Sequence, residues 1–403
     1  MRYDVGRFRR PMRRSTEGQL MSLISLGDGS TLTLDFTTGV LDPRLTFTRA
    51  STGTFINASG NVATASNNVA RFDHDPTTLA PRGLLVEGTS TNLATYSNLQ
   101  AAWLGGINRT VTPNTTDVLS PDGTNNAAKV ALTSASYCSV YEAIVGLANA
   151  TTYTFSYWIR GTAGNQQRIY SLTQGADLVT QTTLTYTNTG WTRIQVTFTS
   201  GAANNTVFIY PVSRASGTVN DVLYVYGCQL EAGNGASSLI PTGASTVQRL
   251  ADECSMTGTN FSSWFNATEG TFLAHARRIR TTDLGRIVSA NDNTTTESID
   301  LGADTTGEFI VTDGGSALAT ISPGTVTANT AFKIAGAYKL NDVQAALGGT
   351  LGTADTSVTL PTIDRLMVGR QAGGSPIYLN GTVAVLKYWP TRLTNAQLQS
   401  FTT

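Results

Sequence analysis

TTYTFSYWIRG, residues Thr151 to Gly161, alternates at period two. Tyr153, Phe155, Tyr157 and Ile159 fall on one side, and Thr, Ser, Trp158 and Arg160 on the other. That alternation is the signature of a strand with one face in a core. GWTRIQVTFTS (Gly190 to Ser200) repeats it with Trp191, Ile194 or Val196 and Phe198. NTVFIYPVS (Asn205 to Ser213) and DVLYVYGCQLE (Asp221 to Glu231) complete a set separated by turn residues. Short strands at such spacing indicate a β-sandwich, so Trp103 to about Ile240 is expected to be one all-β domain.

Composition agrees with many short strands joined by small polar turns. Charged residues make up 13% of the 403-residue chain, against about 25% in an average soluble protein. The length suffices for two or three domains. Formal net charge is zero, so the chain as a whole has no field to draw it to nucleic acid. Cys138, Cys228 and Cys254 are odd in number and have no CxxC spacing, which argues for reduced, buried small hydrophobes over a disulfide framework or zinc site. No apolar run reaches the ~18 residues of a membrane span, and the N-terminus has no apolar signal-peptide core.

Upstream, RFDHDPTTLAPRGLLVEGTSTNLATYS (Arg71 to Ser97) is broken by Asp75-Pro76, Pro81 and Gly83 and reads as an extended connector. Its one apolar run, Leu84-Leu85-Val86, is long enough for a single buried strand or a strap over another domain's core. TLTLDF (Thr31 to Phe36) and LTFTRAS (Leu45 to Ser51) alternate like strands, and GTFINASGNVAT (Gly53 to Thr64) is a hairpin turning at Ser59-Gly60. Residues 31–98 are too few and too polar for a sandwich of their own, and are expected to pack on the following domain or on neighbouring subunits. LMSLISL (Leu20 to Leu26) is either a helical turn or a strand. Met1 to Arg14 hold six arginines against one Asp, with Tyr3 and Phe8 interleaved. Such a segment cannot pack a core. It is a solvated tail, an anchoring peptide for an acidic or phosphate-bearing surface, or, least expected, a DNA-binding arm.

The connector, together with LDFTTGVLDPRLTFTRAST (Leu34 to Thr52) and GCQLEAGNGASSLIPTGASTVQRLADECSMTG (Gly227 to Gly258), resembles linkers in structural proteins of tailed bacteriophages and prophages: tail fibres, tail spikes and head fibres. The order YTFSYWIRG, GWTRIQVTFT, LYVYGCQLEAG, with Trp103 and SPDGTNNAAKV (Ser120 to Val130), resembles the jelly-roll carbohydrate-binding modules such proteins carry. FSSWFNATEGTFLAHARR (Phe261 to Arg278) and IYLNGTVAVLKYWPTRLTNAQLQSF (Ile377 to Phe401) resemble the two ends of a concanavalin A-like (laminin G-like) sandwich. In that fold the terminal strands pair, and a short helix closes the chain, here Thr394 to Ser400 with Thr394 as N-cap. The expected fold is all-β: two sandwiches in series, jelly roll then concanavalin A-like, behind an extended N-terminal segment. The expected divisions are 1–30 attachment segment, 31–98 connector, 99–245 jelly roll and 246–403 second sandwich.

No catalytic constellation is visible. His74 and His275 lack a serine elbow or cysteine partner at useful spacing, and no carboxylate pair stands out as acid and base. No catalytic residue, metal or cofactor is expected. A sugar site needs aromatic faces for stacking and planar polar groups for hydroxyls. Candidates are Trp103, Tyr137, Tyr141, Trp158 and Tyr170, with Trp158 facing out if the row Tyr153, Phe155, Tyr157 is core. Loops at Asn291-Asp292-Asn293 and Asp313-Gly314-Gly315 carry oxygen ligands, although hairpin turns require the same residues.

The resemblance implies a non-enzymatic virion protein, made in the bacterial host cytoplasm and displayed on the particle surface. Arg2, Arg7, Phe8, Arg9, Arg10, Arg13 and Arg14 would attach it to capsid, portal or tail. Its sandwiches would bind host-surface polysaccharide as a homo-oligomer, most naturally a trimer, with a pentamer as the alternative. Neither membrane insertion nor nucleic-acid binding is expected. A purely architectural head-fibre or capsid-decoration role is the main alternative, and a glycan depolymerase the lesser one.

Overall fold

The computed structural model describes residues 28–403 apart from 101–102, 104, 203–204, 281–283 and 374–376. The arginine-rich attachment residues and the Leu20 to Leu26 segment lie outside the described residues. The fold is all-β, with strands gathered into sheets that pack as sandwiches.

The strand Thr152–Gly161 sits inside a five-stranded sheet, between Thr192–Thr199 and Val222–Ala232, with Ala128–Leu132 and Arg109–Thr112 beyond. Its register matches Tyr153 to Phe198, Phe155 to Val196 and Tyr157 to Ile194. These side chains are buried against Cys138, Val140, Ile169, Val207, Ile209 and Val212 of a four-stranded sheet. Each such burial contributes roughly 1.5–3 kcal/mol. The four-stranded sheet runs Cys138–Leu147, Asn205–Arg214, Arg168–Ser171, Ala176–Asp177.

The second sandwich pairs an eight-stranded with a seven-stranded sheet. Its end strands Glu269–Arg278 and Gly381–Trp389 lie side by side. The closing helix is Asn395–Thr402, where Thr394 and Gln397 form a reciprocal capping box. Residues 31–98 contribute strands to this sandwich. Leu32–Asp35 pairs with Gly381–Trp389, matching Leu34 to Leu386. Pro81–Val86 pairs with that same strand, matching Leu84 to Val383. Thr46–Thr48 pairs with Glu253–Thr257. The apolar run Leu84-Leu85-Val86 is thus a buried strand of the last sandwich, and the jelly roll occupies the excursion between that sandwich's early and late strands. Gly83 makes the close approach possible: at φ +93, an added Cβ would stand 2.2 Å from the Val383 carbonyl oxygen.

One part of the connector does reach the jelly roll. The hairpin Gly53–Ile56 with Val62–Ala65 places Val62 and Ile56 against Trp158, Tyr226 and Leu239. Thr54 Oγ1 donates to the Leu239 carbonyl at 2.5 Å.

Where connector, jelly roll and second sandwich meet, a fully buried ionic cluster replaces apolar packing. Arg71 pairs with Glu87 at 2.7 Å and with Asp252. Arg249 pairs with Glu87 at 2.9 Å, and Arg49 with Asp252 at 3.0 Å. Ser238, from the loop leaving the jelly roll, donates to Glu87 through both its backbone N–H and its hydroxyl, each at 2.7 Å. Burial alone would raise the Glu87 carboxyl, but Arg249 and Arg71 outweigh it and hold it down at about 2. The three cysteines are buried and unbonded.

Candidate functional site

The four-stranded sheet of the jelly roll has an inner face in the core and, among the described residues, an outer face without a covering layer of strands. Alternation sets what the outer face carries. Cys138, Val140 and Ile144 point inward, so Tyr137 and Tyr141 point outward; Val207 and Ile209 send Phe208 and Tyr210 out; Ile169 sends Arg168 and Tyr170 out. Five rings and one guanidinium therefore converge. Tyr141 stacks on Phe208 with centroids 4.8 Å apart, and Phe208 on Tyr170 at 6.1 Å. Tyr141 also meets Tyr210 at 5.1 Å.

Arg168 stands at the centre. Its guanidinium carbon lies 4.9 Å from the Tyr210 ring, 5.4 Å from Tyr170 and 5.7 Å from Tyr137. Its Nε donates to Asp177 at 2.8 Å and its Nη1 to the Tyr137 hydroxyl at 2.6 Å. Gln181 Nε2 donates to the other Asp177 oxygen at 2.6 Å. Burial works against the Arg168 charge, but Asp177 and Tyr137 outweigh it, so the guanidinium is more firmly protonated than usual. Tyr210 is 5% exposed and backs the platform beside Arg168, burial lifting its hydroxyl to about 12, while Tyr137, Tyr141, Tyr170 and Phe208 are half-buried and present their faces. The arrangement offers aromatic faces beside fixed donors and acceptors, as stacking and hydrogen bonding to a polyhydroxylated ring require.

Gly105 supports the platform from its edge. It bridges to Tyr141, and an added Cβ would stand 2.3 Å from that ring. The segment it begins extends the sheet past Cys138–Leu147, with Tyr141 N–H donating to the Gly105 carbonyl and Ser139 N–H to that of Ile107, both at 3.1 Å.

Three of the five candidates, Tyr137, Tyr141 and Tyr170, come together here. Trp103 and Trp158 do not. Trp103 is 1% exposed, and its indole donates to the carbonyls of Thr95 and Tyr96 at 3.0 and 2.9 Å. It is a core anchor. Trp158 lies on the side opposite Phe155, as alternation requires, yet it is 8% exposed. The 53–65 hairpin and Leu239 cover it, and Arg193 sits 4.4 Å above its ring. Phe208, Tyr210, Arg168 and Asp177 were not among the candidates. The first two stand at i, i+2 in NTVFIYPVS, on one side of the strand. In the second sandwich, Asp292 accepts from the Thr294 N–H at 2.8 Å, while Asn293, Gly314 and Gly315 have φ of 75, 58 and 79. These loops are tight turns. Among the described residues, no group of three or more His, Cys, Asp or Glu is placed to hold a metal ion.

Residues 101–216, under a third of the chain, match the family described as carbohydrate binding domain. This segment holds all five rings, Arg168 and Asp177. It forms most of the β-sandwich described above and is similar to that family. Similar solved structures include the CBM40 of the Ruminococcus gnavus IT-sialidase bound to alpha2,3 sialyllactose, at 14% identity, 36% of this chain, 88% of that chain and TM-score 0.32. Domain 4 of AbnA, a GH43 extracellular arabinanase from Geobacillus stearothermophilus, in complex with arabinotriose, is similar at 10% identity, 42% and 82% coverage and TM-score 0.31. The heptameric SAP-like pentraxin of Limulus polyphemus is similar at 14% identity, 34% and 70% coverage and TM-score 0.27. No curated protein sequence matches the chain.

Proposed function

We propose that this chain is a non-enzymatic glycan-binding protein, carried as a fibre or spike on a phage or phage-like particle, and that the Tyr137–Tyr141–Tyr170–Phe208–Tyr210 face with Arg168 and Asp177 holds host-surface polysaccharide. The observation that carries the binding role is this outer aromatic face with its central ion pair, within the segment matching a carbohydrate binding domain. The particle assignment rests on the resemblance of the connector segments to phage fibre and spike proteins. The arginine-rich N-terminus would attach to capsid, portal or tail, and the chain would assemble as a homo-oligomer, a trimer or pentamer, on the virion surface. Repetition of weak sites would then raise avidity by orders of magnitude.

The architectural alternative has the burial of Trp103 and Trp158 in its favour, since a spacer buries its aromatics. Binding of the purified protein to whole bacterial cells, before and after their surface polysaccharide is stripped, separates the two. The glycan reading expects binding that disappears on stripping and weakens in Tyr170→Ala. Wild-type protein that ignores intact cells even as an oligomer would establish the architectural role instead.

A further inference from the structure

The aromatic face is flanked by bare aliphatic side chains. Inner-face pairs match Ile144 and Ser171 each to Val207. The next outward positions, Val145 and Leu172, therefore flank Thr206, about two strand spacings or 10 Å apart. Leu172 N–H donates to the Thr206 carbonyl at 3.0 Å, continuing the ladder. Val145 is 73% exposed and Leu172 55%. Their row lies next to the one holding Phe208 and Tyr170. At the far side Ile107, 53% exposed, runs opposite Ser139, between Tyr137 and Tyr141.

Elsewhere in this sandwich the exposed large hydrophobics Leu119 and Val219 lie in connections between strands, not on a sheet face. The strand Thr192–Thr199 shows Gln195, Thr197 and Thr199 to solvent. Among the described residues ten large hydrophobics are exposed, and three of them border this one face. A single exposed aliphatic is ordinary on a surface; three bordering one aromatic face extend the apolar area that face can bury. Hydroxyls alone give it nothing to bury, whereas a methyl group does.

We infer that this face selects saccharides bearing methyl groups, either 6-deoxyhexoses or O-acetylated sugars, over unsubstituted hexoses. The inference rests on the glycan-binding reading above. The ring stacks on Tyr141, Phe208 and Tyr170, its hydroxyls meet Arg168 and Asp177, and its methyl groups lie on Val145, Leu172 or Ile107. Each methyl seated raises affinity about fourfold.

The test is an array of immobilised bacterial surface polysaccharides, each native and after mild alkaline deacetylation, with a rhamnan beside a mannan. The full chain and an Ile107→Ser/Val145→Ser/Leu172→Ser variant are probed, and thermal melting checks that the variant is folded. Native polymer should exceed its deacetylated form, or rhamnan exceed mannan, by about fourfold or more per methyl seated. The acetyl arm and the rhamnan arm identify which source supplies the methyl. The variant should bring the ratio to about one. Equal binding within every pair, or an unchanged ratio in the folded variant, overturns this inference and leaves the glycan reading standing. Wild-type protein that binds no polysaccharide in the array removes both.

Discussion

Replacing Glu87 by glutamine tests whether the ionic cluster joins the two sandwiches. The cluster holds three arginines, Arg49, Arg71 and Arg249, against two carboxylates, Glu87 and Asp252. Glu87→Gln keeps the shape and removes one charge, leaving three guanidiniums to one carboxylate. Two ion pairs are lost, and the new amide N–H groups must face donors from Arg71, Arg249 or Ser238. Removing one partner from a buried pair costs about 3–5 kcal/mol, because the charge left behind has no solvent to return to. The control is Glu253→Gln, whose side chain is 54% exposed in its pair with Arg370 and should cost under about 1 kcal/mol. Urea unfolding followed by tryptophan fluorescence and calorimetry gives both values. Trp103, Trp158 and Trp191 report on the jelly roll, and Trp264 and Trp389 on the second sandwich. The loss should fall on both sandwiches, since Ser238 leaves one and Asp252 enters the other. A loss below about 1 kcal/mol, or one equal to the control, would refute the idea that this cluster carries the junction.

Three further outcomes follow from single residues. Burial, reinforced by Lys333 and opposed by Asp35, lowers His275 to about 4. The unfolded chain takes up that proton near pH 6.5 while the folded chain resists until about 4, so this stability is present above pH 6.5 and is lost as pH falls through that window. Urea melts at pH 7 and 4.5 should show about 1–2 kcal/mol of acid loss, discounted for partial exposure, that is missing in His275→Gln. Thr394→Ala removes the N-cap of the closing helix and should cost about 1 kcal/mol by the same melts, leaving glycan binding intact. Gly105→Ala should push the Tyr141 ring off the platform and weaken polysaccharide binding about threefold to tenfold with little change in melting temperature.

The sheets were legible where one face of a strand is apolar and the other polar. Tyr153, Phe155 and Tyr157 announced their core side, and the Ser59-Gly60 turn its hairpin. Alternation says which side of a sheet a residue faces, but not what lies on that side. Trp158 was assigned to the right face, and its cover came from Val62 and Leu239, each about eighty to a hundred residues away along the chain. The same limit hid the partner of Leu84-Leu85-Val86, because a short apolar run carries no mark of the strand it pairs with, here Gly381–Trp389. Spacing does not single out Phe208 and Tyr210, because Val207 to Val212 is apolar throughout and such a run reads as buried on both faces. Arg168 and Asp177 meet only through the turn between two short strands, beyond the reach of spacing arguments.

The central claim is tested most directly by equilibrium binding of the full chain to polysaccharides extracted from a panel of bacterial strains, comparing wild type with Tyr170→Ala, Phe208→Ala and a Trp158→Phe control. The account predicts a polysaccharide that wild type binds, that both folded platform variants bind about tenfold more weakly, and that Trp158→Phe binds normally. Platform variants that bind as wild type does, or a wild type that binds no polysaccharide at all, would contradict it.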